Sequence, residues 1–205
     1  MSHRFLTSIL SLGLLAASSY TAAASYNICN ATSCKSESVF QWPWEKSSYA
    51  KTKYPIVLAH GMAGFSKVGP LDYWYGIPQD LAKNGASVYV TQVASFGSSE
   101  VRGEQLLGQV QKILAISGAQ KVNLIGHSHG SHSIRYVAGV LPNRVASATA
   151  VGGPNLGSPV ADVIKGASNI PGLGPLAAPI ISGAINGMFA LIDMMSGQEY
   201  RQDSL

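Results

Sequence analysis

The chain has 205 residues, of which 46% are apolar and only 12% charged, enough for one globular domain with a real core and too apolar for a disordered chain. Its formal net charge of +4 is modest, and the lysines are scattered (Lys46, Lys51, Lys53, Lys83, Lys112, Lys121, Lys165), so no nucleic-acid footprint is expected.

His3 and Arg4 precede the apolar run FLTSILSLGLLAA, which is followed by the small-residue run TAAAS. This is the pattern of a secretory signal peptide over residues 1–24, cleaved after Ala24, and it predicts a secreted protein that passes through the periplasm. Export permits disulfides, and the only cysteines, Cys29 and Cys34, admit a short local bridge, two free thiols or a pairing outside the chain. Residues 25–52 are polar and Ser-rich with interspersed aromatics, and read as an N-terminal lead-in draped on the domain.

Residues 53–205 then read as part of an α/β domain. YPIVLAHG (54–61) is a continuous apolar run ending in glycine, as expected of a strand buried on both faces of a parallel sheet. A helix around 77–85 and a second strand over 86–93 follow. In 98–118, Leu106, Leu107, Val110, Ile113 and Leu114 recur at helical spacing, Ser98 or Ser99 can cap the start, and Gly118 stops the helix. A strand (121–125), a helix (131–141) and another strand (144–153) complete the alternation, which implies parallel crossovers. From Gly166 to Ile192 no residue is charged. Three prolines there argue against a membrane span and favour an apolar cover or substrate-facing surface.

GHSHG (126–130) matches G-x-S-x-G between a strand and a helix, the nucleophile elbow of esterases. The turn is tight enough that only glycine fits two positions either side of Ser128, which is held in a strained conformation with its hydroxyl over the sheet. HGMAGF follows the first buried strand, where such folds place the second oxyanion donor, so the backbone N–H groups of Met62 and His129 are the expected oxyanion hole. His127 and His129 flank the elbow and should point away from the serine hydroxyl, while His60 should brace the oxyanion loop. No histidine follows His132, although the acid and base of this fold follow the serine in the order Asp or Glu, then His. The catalytic acid and base are therefore expected beyond Leu205, in the C-terminal strands of a hydrolase cut short.

KYPIVLAHGMAGF, GPLDYWYGIPQDLAKNGASVYVTQV, GEQLLGQV and NLIGHSHG together resemble the secreted bacterial triacylglycerol lipases of the true-lipase family that require a dedicated foldase. The resemblance implies an α/β-hydrolase fold with a mostly parallel sheet and helices on both faces. It also implies lipid esters as substrates at an oil–water interface, a lid over residues 166–195, a structural calcium ion in the full-length protein and a periplasmic lipase-specific foldase. The family's catalytic Asp and His, calcium ligands and usual disulfide belong to a C-terminal region, so no residue here is assigned to them. Competing readings are a complete small carboxylesterase with His132 or His60 as base, a metal cluster of His127, His129 and His132, and a non-catalytic binding module on the same frame.

Overall fold

The computed structural model describes residues 24–157. All of the signal-peptide segment but Ala24, and the whole of the lid segment 166–195, lie outside the described residues.

Residues 25–52 depart from the lead-in expected of them. β1 (Ala24–Cys29) and β2 (Cys34–Val39) form an antiparallel hairpin, and β1 also pairs in parallel with a central strand, so this segment is one side of the main sheet. Cys29 and Cys34 are directly opposite across the hairpin and joined as a disulfide. The bridge closes a loop of only a few residues, so it removes little chain entropy from the unfolded state.

β3 (Ile56–Ala59) is buried at every position, as its unbroken apolar sequence requires. A two-residue hairpin, β4 (Lys67–Val68) with β5 (Leu71–Asp72), leads to α1 (Ile77–Lys83) and β6 (Val88–Thr91), which is also buried throughout. α2 (Ser99–Ser117) begins with the Ser98 hydroxyl accepting the Val101 N–H and ends at Gly118 in the left-handed conformation, the start and stop signals its sequence carries. β7 (Val122–His127) runs to the elbow, α3 (Gly130–Val140) leaves it, and β8 (Val145–Val151) closes the described sheet. The order is β2-β1-β6-β3-β7-β8, and every pair except β1 with β2 is parallel.

Side chains alternate across the sheet. Val57, Ala59, Tyr89, Val122 and Leu124 join Leu106, Val110 and Ile113 of α2 and Ile134 and Val137 of α3 in one core. On the opposite face Ile56, Leu58, Val88 and Val90 pack with Trp74 and Ala86, and with Leu81 and Ala82 of α1. Helices thus cover both faces. From β3 the chain moves to β6 on one side, then returns past β3 to β7 on the other, which makes the carboxyl ends of β3 and β7 a topological switch point. Open α/β sheets bind their ligands in the crevice at such a point.

Candidate active site

At the end of β7 the chain turns sharply into α3, with Ser128 at φ +53°, a backbone conformation that costs a non-glycine residue free energy. The flanking glycines show why it is tolerated. A Cβ on Gly126 would lie 2.4 Å from the Gly130 carbonyl oxygen, and one on Gly130 would lie 2.4 Å from the Ala59 carbonyl oxygen. Strand, elbow and helix therefore approach one another to backbone contact. The Ser128 N–H donates to the Val151 carbonyl (2.9 Å), which ties the elbow to the end of β8. Ser128 is half-buried, and its hydroxyl makes no hydrogen bond among the described residues.

The HGMAG loop after β3 packs directly on this elbow. A Cβ on Gly61 would sit 2.9 Å from Ser128 Cβ. The loop folds back on itself through Gly64 N–H to Gly61 O (3.2 Å), with Ala63 at φ +57° and its N–H donating to Ser95 O (2.9 Å). The Met62 side chain is 53% exposed, so the core does not explain this residue. The N–H groups of Met62 and His129 have no acceptor among the described residues, and His129 immediately precedes the first turn of α3, where the helix dipole adds partial positive charge.

Beneath the loop lies Arg102, which is fully buried. Its guanidinium donates to the carbonyls of Ser95 (3.0 Å), His60 (2.7 Å) and Gly61 (2.9 Å), and the ion pair between Lys67 and Glu37 involves neither it nor its neighbours. Burial lowers the Arg102 pKa to about 10, which leaves the group charged at neutral pH. Sequence reasoning missed this residue. The available signal was its place on α2, four residues before Leu106 on the stripe that continues through Val110 and Ile113.

The rings of His60, His127 and His129 all have polar partners other than Ser128. His60 is fully buried, as expected of a brace. Its Nδ1 donates to Gly61 O (2.9 Å), and its Nε2 accepts from the Val93 N–H (3.3 Å) and the Gln92 amide (3.1 Å). Both ring nitrogens are thus taken. His127 Nδ1 meets the Tyr73 hydroxyl (2.5 Å), and His129 Nε2 meets Ser99 Oγ (3.0 Å). The His132 ring lies against that of His129, with centroids 5.4 Å apart. None makes a hydrogen bond with the Ser128 hydroxyl in this structure, and both ring nitrogens of His60 are taken by other partners. The rings of His127 and His129 also serve different partners, and no group of three or more His, Cys, Asp or Glu among the described residues could hold a metal ion.

Desolvation first, then the Arg102 charge, push the His60 imidazole down to about 3, and desolvation likewise takes His129 to about 4. Both values lie below the unfolded value of 6.5. The stability these neutral rings contribute is therefore fully present above pH 6.5 and is lost as pH falls toward the folded values. The melting temperature should begin to fall between pH 6.5 and 5, above the range in which ordinary carboxylates titrate. A melting temperature unchanged from pH 7 to pH 5 would contradict that.

A family model described as the alpha/beta hydrolase fold matches residues 54–172. The chain belongs to the α/β-hydrolase family. This α/β-hydrolase is similar to a triacylglycerol lipase of Vibrio cholerae, 52% identical over 161 residues covering 78% of this chain and 51% of the relative. A triacylglycerol lipase of Burkholderia plantarii is 44% identical over 162 residues, covering 77% of this chain and 44% of that one. The chain thus spans about half the length of the curated relatives it matches. Among solved structures, the mature form of lipase BlEst2 from Bacillus licheniformis superposes with a TM-score of 0.50 at 23% identity, covering 73% of this chain and 62% of that one, a likeness of fold. No helix among the described residues is long and apolar enough to cross a membrane.

Proposed function

We propose that this α/β-hydrolase domain hydrolyses carboxylic esters of lipids, with Ser128 as nucleophile. The Ser128 hydroxyl attacks the acyl carbon, its proton passing to a base. Charge developing on the carbonyl oxygen is stabilised by the N–H groups of Met62 and His129. The C–O bond to the alcohol then breaks, the alcohol leaves with the proton, and water hydrolyses the acyl-enzyme. The observation that carries this reading is Ser128 at φ +53° between two glycines that backbone contact makes obligatory, with two unpaired N–H groups beside it. Fixed backbone dipoles stabilise a developing oxyanion at no reorganisation cost, and these two N–H groups support that role.

The substrate class rests on the lipase relatives. No described imidazole hydrogen-bonds the Ser128 hydroxyl, and in this reading the base and acid lie outside the described residues. The domain by itself therefore acylates slowly and turns over poorly. Secretion behind the 1–24 signal peptide, a lid over 166–195, a calcium ion in the full-length protein and a periplasmic foldase belong to the same proposal.

The test is acylation by p-nitrophenyl esters of short and long acyl chains, read as p-nitrophenol release and as acyl mass on the Ser128 peptide. We expect acyl-Ser128, more of it with long chains, and its loss in Ser128→Ala. Equal release by Ser128→Ala, or acyl groups only on other residues, would sink the proposal.

A further inference from the structure

One polar contact joins the two halves of this site, and neither the sequence motifs nor the proposed chemistry uses it. Tyr73 lies just beyond β5, twelve residues from Gly61 and fifty-four from His127, yet its hydroxyl meets both. It accepts the Gly61 N–H at 3.0 Å and lies 2.5 Å from His127 Nδ1. A Cβ on Gly61 would be 2.9 Å from this oxygen and equally 2.9 Å from Ser128 Cβ, so the hydroxyl, the loop and the nucleophile meet at one point. Phe65 and Trp74 stand edge-on to the Tyr73 ring, and His60 and His127 lie tilted against it, so the phenol has little freedom to swing away.

We infer that Tyr73 is a positioning residue whose hydroxyl is a strut between the oxyanion loop and the nucleophile elbow, setting the Met62 N–H at the distance from Ser128 that an oxyanion requires. This rests on the reading of Ser128 as nucleophile. The loop is otherwise held by Arg102 and His60 through its carbonyls and by Ser95, which accepts the Ala63 N–H and donates to Gly64 O. Those bonds fix its height on the sheet, but they run to α2 and to the segment after β6 and do not touch the elbow. The Tyr73 bridge is the link that runs sideways to the residue preceding Ser128. Its hydrogen placement follows from the partners. The Gly61 N–H can only donate, so the phenol oxygen accepts from it, and which partner donates in the Tyr73–His127 contact follows the imidazole's tautomer. Oxyanion stabilisation depends steeply on donor distance, so a loop free to slide by a fraction of an ångström loses most of its effect without any loss of fold.

The test uses the whole 205-residue chain and its Tyr73→Phe variant, which keeps the ring and removes only the oxygen. Two readouts are needed, namely the rate at which a fluorophosphonate labels Ser128 in imidazole buffer, and the NMR resonances of the Gly61 amide and the His127 ring nitrogens. We expect labelling to slow by about tenfold, the scale of one lost charge-oriented hydrogen bond. The Gly61 amide and His127 nitrogen signals should shift, while the resonances of α2 and the outer strands stay in place. Unmoved Gly61 and His127 signals would show that the bridge does not exist, and shifted signals with an unchanged labelling rate would show that it positions nothing. Either result overturns the inference while leaving Ser128 labelled and its role intact. A folded wild-type chain that never labels at Ser128 would overturn the nucleophile reading, and this inference with it.

Discussion

Gly130→Ala is expected to be among the most damaging single methyls that can be added to the described residues. Its Cβ would lie 2.4 Å from the Ala59 carbonyl oxygen and 2.7 Å from that of His60. Both obstacles are backbone, on a central strand paired on both sides, so no side-chain rotation relieves the contact. Relief requires α3 to back away from β3, and that opens the core between α3 and the sheet, where Ile134 and Val137 are buried. A loss of more than about 4 kcal/mol is the scale for forced backbone shifts in a packed core, comparable to a small domain's whole stability. Urea denaturation should show a variant largely unfolded in buffer, whereas Gly108→Ala, where a Cβ meets nothing within 4 Å, should be neutral or slightly stabilising. A Gly130→Ala chain as stable as the parent would mean that helix and strand do not meet at backbone contact.

The second large effect is expected at Arg102. A buried cation without an acid is costly, and replacing such a group with an apolar one of similar size can stabilise a protein. Here the partners decide the sign. After Arg102→Met the carbonyls of Ser95 and Gly61 keep the Ala63 N–H and the Gly64 N–H as donors, but the buried His60 carbonyl loses its donor, and an orphaned acceptor costs about 1–3 kcal/mol unless water reaches it. A net loss of about 1–3 kcal/mol is expected by denaturant titration, together with slower Ser128 labelling as the HGMAG loop loosens. Stability equal to or above the parent would mean that water or a rearranged loop satisfies those carbonyls. Arg102→Lys should recover little, because one ammonium cannot span three carbonyls from a single position.

How far the site could be read in advance follows from where its information lies. β3, β7 and the elbow were legible because the reasons are local. A strand buried on both faces must be apolar throughout, as in PIVLA, and a turn this tight must carry glycine at 126 and 130. The α2 boundaries were legible for the same reason, through Ser98 and Gly118. The hairpin of β1 and β2 was not, because CKSESV is polar and becomes a strand only by pairing across to β1 and, through it, to β6. Arg102 escaped notice because an arginine in an amphipathic helix ordinarily faces water, and only the tertiary placement of three carbonyls shows why this one is inside. Tyr73 escaped for a related reason. The run DYWYG has no period to mark which aromatic is functional, and its partners lie at sequence separations of 12 and 54.

The central claim is that elbow and loop present Ser128 as an activatable nucleophile beside a preformed oxyanion pocket. Fluorophosphonate labelling of the folded chain, with circular dichroism to establish folding and peptide mass to place the label, tests it most directly. The label is predicted on Ser128, absent in Ser128→Ala, and faster as imidazole is added, since no described histidine reaches the hydroxyl. A folded chain that stays unlabelled at Ser128 in concentrated imidazole, or that labels elsewhere, would contradict the claim.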